Sequence, residues 1–216
     1  MKPEIAVIDY GLGNTWSILN ALKEVGAQAC LSADPETLHR VDGIILPGVG
    51  TYPQGMQKLS EAALTDLVRS IANSGKPLLG ICLGMQLLFD EGYEFGTTAG
   101  LGLIAGTVQK LELVEKSAKL PHVGWTPIDM STGSTETRHL LMDVPDRTDM
   151  YFVHSFAAQP SDANTIIARA EYGGTHYCCM VQRSNIIGTQ FHPEKSGPFG
   201  LQIFRNFVNY CEENKN

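Results

Sequence analysis

The chain lacks a long apolar run, paired cysteine spacings and any cluster of basic residues, and each absence removes a class of function. Its longest mostly apolar stretch runs from Pro77 to Phe89, is interrupted by Gly80 and Gly84, and is too short to cross a bilayer. No membrane anchor is therefore expected. The five cysteines are odd in number and no two are spaced Cys-x-x-Cys. Met1-Lys2-Pro3-Glu4 leads straight into a strand-like run with no signal-peptide pattern, so the expected location is a reducing cytoplasm with free thiols. Sixteen basic residues against 23 acidic ones give a net charge of -7, and without a Lys/Arg patch nucleic acid is not an expected partner. Nucleotide fingerprints are missing too. Gly11-Leu12-Gly13 has Trp16 where a third glycine should stand, Gly48-Val49-Gly50 has Pro53, and no Walker-type lysine loop occurs.

What is present describes a folded globule. Apolar residues make up 43% and charged residues 18% of 216, a size that buries roughly 70% of the unfolded surface without staples. The expectation is a single domain over 1–216. Ile5 to Asp9 is an apolar run that stops at Gly11-Leu12-Gly13-Asn14, and Ser17 to Val25 then takes helical spacing. The same unit recurs at Gly43 to Leu46 before a helix over Gln54 to Ala72, and at Pro77 to Ile81 before a helix beginning near Leu83. Runs apolar throughout and alternating with helices predict a mostly parallel α/β sheet flanked by helices. From Gly106 the runs shorten: Gly106–Leu113, Met150–His154, Thr165–Ala170, Tyr177–Gln182 and Ile186–Phe191 read as additional β structure in the C-terminal half. The polar Ser131–His139 stretch reads as an exposed loop. A last helix follows Ser196-Gly197, with Leu201, Phe204, Val208 and Cys211 as its apolar stripe.

Two segments could carry chemistry. Gly80-Ile81-Cys82-Leu83-Gly84 places a cysteine where a buried strand turns into a helix, the setting of a nucleophile elbow. The glycines permit a sharp turn, and the helix N-terminus would favour the thiolate. Alone, the same pattern fits a buried structural cysteine. The second segment, Phe191-His192-Pro193-Glu194, shifts the balance. Pro193 biases His192 toward extended backbone, where residues two apart share a side, so Glu194 could orient the imidazole as base for Cys82. A zinc reading of His-x-Glu fails, because it needs a downstream Pro-Cys-x-x-Cys and only Cys211 follows. His122, His154, His176, Cys178 and Cys179 do not supply a spaced ligand set, and adjacent Cys178 and Cys179 alternate faces of a strand. Neither a metal nor another cofactor is expected, and the sequence assigns no role to Cys30 or Cys211.

Together, Gly80-Ile81-Cys82-Leu83-Gly84-Met85-Gln86 and Gln190-Phe191-His192-Pro193-Glu194 resemble the triad-type class I glutamine amidotransferases. Within that superfamily, Leu46-Pro47-Gly48-Val49-Gly50, Pro121-His122-Val123-Gly124-Trp125 and Tyr151-Phe152-Val153-His154-Ser155 resemble the glutaminase subunits of imidazole glycerol phosphate synthases, of histidine biosynthesis. The resemblance implies Cys82 as nucleophile, His192 as proton carrier and Glu194 as its orienter. It implies oxyanion N–H groups from Leu83 and from Val49 or Gly50, and contacts to glutamine from Gln86, Gly50 and a His154-Ser155-Phe156 strand. It further implies a heterodimer with a (β/α)₈ barrel cyclase that consumes the ammonia. Two positions depart from the expected pattern, Trp16 and Thr126, and both are expected near the partner surface. A glutaminase feeding another synthase, for example in surface-sugar synthesis, and a cysteine hydrolase of another class are the alternatives.

Overall fold

The computed structural model describes residues 2–130 and 139–215, so the stretch expected as an exposed loop, 131–138, lies outside the described residues. In chain order the first half gives β1 (Glu4–Ile8), α1 (Thr15–Glu24), β2 (Gln28–Ser32), α2 (Pro35–Arg40), β3 (Gly43–Leu46), α3 (Tyr52–Glu61), α4 (Thr65–Asn73), β4 (Leu78–Ile81) and α5 (Leu83–Leu87). The second half gives β5 (Phe89–Gly92), β6 (Thr98–Ala99), β7 (Ile104–Lys110), β8 (His122–Pro127), β9 (Asp149–His154), β10 (Phe156–Pro160), β11 (Ile166–Tyr172), β12 (Thr175–Arg183), β13 (Ile186–Thr189) and α6 (Gly197–Glu213). One sheet runs β2-β1-β3-β4-β13-β12-β10-β7-β5-β6, with β11 flanking β12. Its first five strands are parallel, and β13, β12, β10 and β7 pair antiparallel. β8 and β9 form a separate antiparallel pair.

Burial explains the parallel centre. β3, β4 and β13 are buried at every position and β1 at all but the first, because helices cover both faces. Strand alternation divides the interior into two cores. Ile5 and Val7 of β1 pack with α1 and α6, whereas Ala6 and Ile8 pack with α2, α3, α4 and α5. Cys178 and Cys179 follow the same rule, one thiol in each core. On α6 the buried stripe is wider than expected and includes Ile203 and Phe207; Leu201 is only partly buried.

Three expectations need correction. The helix read over Gln54–Ala72 is two helices. α3 ends where Ala63 takes φ 56° and its N–H, with that of Leu64, bonds back to Ser60 and Leu59, a Schellman closure built on alanine where glycine is usual. The His154–Phe156 segment is not one strand, because Ser155 separates β9 from β10. Thr126 lies inward, buried with its hydroxyl 2.9 Å from His122 Nε2, and is not a surface residue.

The turn from β4 into α5 is pinned by a close approach. A Cβ on Gly84 would stand 1.9 Å from the Leu46 carbonyl oxygen at the end of β3. Backbone on both sides leaves nothing that can yield. Gly84→Ala is therefore expected to lower unfolding stability by about 3 kcal/mol or more, read as a reduced urea midpoint at unchanged slope. A midpoint equal to wild type would show that the elbow tolerates separation from β3.

Candidate active site

The register of β4 with β13 builds the site. Gly80 pairs with Gly188 and Ile81 with Thr189, so the residues one step on, Cys82 and Gln190, arrive side by side. Cys82 occupies φ 54°, ψ −111°, a conformation rare for a residue with a side chain. Its N–H is held by Thr189 O at 2.7 Å and its carbonyl accepts from Gln86 N at 3.1 Å. The sulfur is thereby fixed between the sheet and α5. That helix runs five residues from Leu83, with Cys82 at its N-cap.

His192 follows β13 and is buried. Its N–H donates to Tyr151 O at 2.9 Å and its carbonyl accepts from Ser196 Oγ at 2.7 Å, which ties the ring's backbone to β9 and to the start of α6. The expected extended path holds only at His192; Pro193–Lys195 turn as a 3-10 segment. The turn, not strand alternation, brings Glu194 back, with Oε1 2.7 Å from His192 Nδ1. A carboxylate accepts, so Nδ1 carries a proton, and Nε2 is left facing Cys82 with no partner at full hydrogen-bond geometry among the described residues. Burial disfavours the charged ring, but the Cys82 sulfur and the Glu194 carboxylate outweigh it, and the imidazole is pushed up to about 10.

A cavity of about 350 Å³ opens on these groups. Val49, Gly50, Cys82, Leu83, Gln86, His154, Ser155, Phe156 and His192 line it, and Glu194 sits behind His192. Every residue given a catalytic or glutamine-contact role from the sequence thus lines this cavity or stands directly behind it. The N–H groups of Val49, Gly50 and Leu83 meet no acceptor among the described residues. Gly50 has φ 102°, a region that glycine enters without strain. Tyr10 donates its hydroxyl to Pro47 O at 2.6 Å and so anchors the loop that carries Val49 and Gly50. Burial and the nearby Cys82 sulfur push the Tyr10 phenol well above its ordinary range, which keeps it a donor. Gln86 is committed more than expected: its Nε2 donates to Phe156 O and to Gln190 Oε1, both at 2.9 Å.

Two contributors were not legible in advance. Glu94 lines the same cavity, and its Oε2 accepts the Tyr52 N–H at 2.8 Å, capping α3. Gln190 Nε2 reaches the Cys82 sulfur at 3.7 Å. Burial pushes His154 down to about 3, and its Nδ1 bonds Phe156 O at 2.9 Å, so the ring is neutral in the wall. A larger cleft of about 750 Å³ lies between the β7–β10 and β11–β12 pairs, and Cys82 does not line it. Among the described residues no three His, Cys, Asp or Glu side chains form a metal-holding group, and no helix is long and apolar enough to cross a membrane.

A family model described as glutamine amidotransferase class-I matches residues 6–211. The imidazole glycerol phosphate synthase subunit HisH of Geobacillus thermodenitrificans is 44% identical, over 94% of this chain and 94% of that protein. The subunit of the same name from Lactococcus lactis is 40% identical, over 95% and 98% respectively. Among solved structures, PurLQS from Thermotoga maritima superposes with a TM-score of 0.72 at 22% identity, covering 97% of this chain and 99% of that one, a likeness of fold.

The raised His192 fixes a stability window. Its folded value lies above the ordinary 6.5, so the stabilisation that the charged ring gains from the Cys82 sulfur and the Glu194 carboxylate is complete below about pH 6.5 and is lost as pH rises through about 10. The stability advantage of wild type over His192→Asn is expected to shrink across that interval in urea titrations at pH 6, 8 and 10. An advantage that grows with pH would mean the ring is buried neutral.

Proposed function

The chain belongs to the class-I glutamine amidotransferase family, and from that premise we propose that it is the glutaminase subunit of imidazole glycerol phosphate synthase, with Cys82, His192 and Glu194 carrying the chemistry. In this reading 1–216 is one amidotransferase domain, cytoplasmic, with Cys82 kept as a free thiol. The observation that carries it is the buried line of sulfur, imidazole and carboxylate beside a cavity large enough for one amino acid.

Glutamine enters with its carboxamide toward Cys82. The sulfur attacks the amide carbon, and the carbonyl electrons move onto oxygen, where the Leu83 N–H and that of Val49 or Gly50 can receive the charge. His192 delivers its proton to the departing nitrogen, so ammonia leaves and a thioester remains. His192 then takes a proton from water, hydroxide adds to the thioester, and glutamate departs as the C–S bond breaks. Glu194 holds the ring's tautomer throughout and supports its charge. Among the described residues Glu94 is the one carboxylate lining the cavity, and it is suited to the substrate's α-ammonium group.

Ammonia is useful to an acceptor enzyme only if it is not diluted, so the cavity should open toward the cyclase partner. Exposed apolar groups border it. Val49 is 41% exposed and also lines the cavity; Val123 and Trp125 are 56% and 55% exposed on the outer face of β8. Val123 pairs across β8–β9 with Val153, another cavity residue. Trp16, 73% exposed, follows the Gly11–Asn14 turn, which packs on Pro47 through Gly13. These residues are the proposed contact with a barrel cyclase. A partner docked against the exposed Val49 would touch the oxyanion loop itself, so docking can set the loop's state.

Cys82→Ser is expected to abolish glutamine-dependent synthesis by the complex, by ~10³-fold or more, and to spare synthesis from added ammonium salts. His192→Asn should cost more than Glu194→Gln, since one removes the proton carrier and the other its orienter, while Cys178→Ser stays near wild-type turnover. A Cys82→Ser complex that still hydrolyses glutamine would overturn the assignment. Glutamate release by the isolated chain is expected to rise ~5- to 150-fold on adding the cyclase with an acceptor analogue. Equal rates in the two conditions would remove the coupling and leave the triad standing.

A further inference from the structure

Outside the residues already given roles, one buried side chain touches the reacting sulfur. Gln190 is fully buried, with Nε2 3.7 Å from Cys82 Sγ. Its orientation follows from the backbone. The Phe156 carbonyl can only accept, so the group facing it at 2.9 Å is the Gln86 amide nitrogen. The second hydrogen of that nitrogen points to Gln190 at 2.9 Å, which must present its oxygen. The Gln190 amide nitrogen is therefore turned to the sulfur, and the chain Phe156 O, Gln86, Gln190, Cys82 has one direction of donation. It ends by requiring an acceptor at Sγ, and a thiolate is the better acceptor of the two forms of cysteine.

The geometry points to Gln190 as a catalytic residue whose amide N–H stabilises the Cys82 thiolate, with Gln86 as the positioning residue that holds it. The inference rests on Cys82 being the nucleophile. During acylation the sulfur lone pair forms the C–S bond, the carbonyl pair moves to oxygen, and the N–H···S contact weakens as charge leaves sulfur. During deacylation hydroxide adds to the thioester carbon, the C–S bond breaks with its electron pair returning to sulfur, and the contact re-forms. Gln190 thus favours the resting nucleophile and the second departure. It does not line the cavity, so the substrate does not touch it. The other titratable groups that act at the sulfur are His192 and, from the end of β1, Tyr10; Glu194 acts through His192, and Glu94 lines the same cavity.

The test is the rate of Cys82 alkylation by iodoacetamide against pH on the full chain, followed by peptide mass so that the exposed Cys30 is counted separately. Relative to wild type, Gln190→Leu is expected to move the alkylation midpoint upward by about one pH unit, roughly tenfold in rate on the acid side. Gln190→Glu, nearly isosteric and still able to accept from Gln86, should move it further because it sets a carboxylate against the sulfur. Gln86→Leu should give a smaller upward movement. With glutamine, Gln190→Leu should lower kcat and leave KM within about twofold. A folded Gln190→Leu chain with an unmoved midpoint overturns the inference; if that variant does not fold, an unmoved midpoint in Gln190→Glu does so. Glutamine hydrolysis by Cys82→Ser, run in parallel, separates the two readings. Its loss together with an unmoved midpoint sinks only the role of Gln190, and its survival sinks the nucleophile itself.

Discussion

The parallel pairing of β4 with β13 is the constraint from which the site derives. Residues near 80 and near 190 meet because four consecutive pairs lock the strands, from Leu78 with Ile186 to Ile81 with Thr189. Both strands stop at the same level. The chains then leave in different directions, one through the strained Cys82 into α5, the other through Gln190 and Phe191 to His192. A slip of one residue would exchange the two faces of a strand that is buried on both, so packing fixes the register and the register fixes the chemistry. The Cys82 N–H to Thr189 carbonyl bond is the last rung of this ladder and the first contact of the site.

The legible parts of the fold were those whose burial leaves a mark on sequence. β1, β3, β4 and β13 are apolar because they are covered on both faces, and α6 shows its stripe because only one face is covered. β2 left no such mark. Four of its five residues are exposed at the sheet's edge, so neither a run nor an alternation forms. α2 is six residues long, too short for a period, although Asp34 capping Thr37 N and Pro35 in the first turn are start signals. The break between α3 and α4 was hidden because Ala63 takes a conformation that glycine normally announces.

The site divides along the same line. The cysteine elbow and the His-Pro-Glu segment are local motifs, and local spacing suffices to propose them. The reason given for the second was wrong in its geometry, since a 3-10 turn and not an extended strand returns Glu194 to His192. Glu94 and Gln190 carry no local signature. Each is a polar residue whose meaning comes from a partner 42 or 108 positions away, Tyr52 in one case and Cys82 in the other. Only the assembled sheet brings such partners together.

β10 and β12 meet at a single registered pair, Ala158 with Cys178, so the sheet has a seam there. On one leaf stand the parallel strands with the sulfur and the imidazole; on the other, β10 and β7 carry the wall that begins at Phe156. The substrate's floor and its reagents are thus mounted on two plates, and the Gln86 amide, bonded to Phe156 O on one side and to Gln190 on the other, is the clip between them. Shear along the seam would change how deeply glutamine seats and would at the same time pull on the amide that holds Gln190 against the sulfur. Fit and reactivity in this molecule are mechanically linked through one side chain.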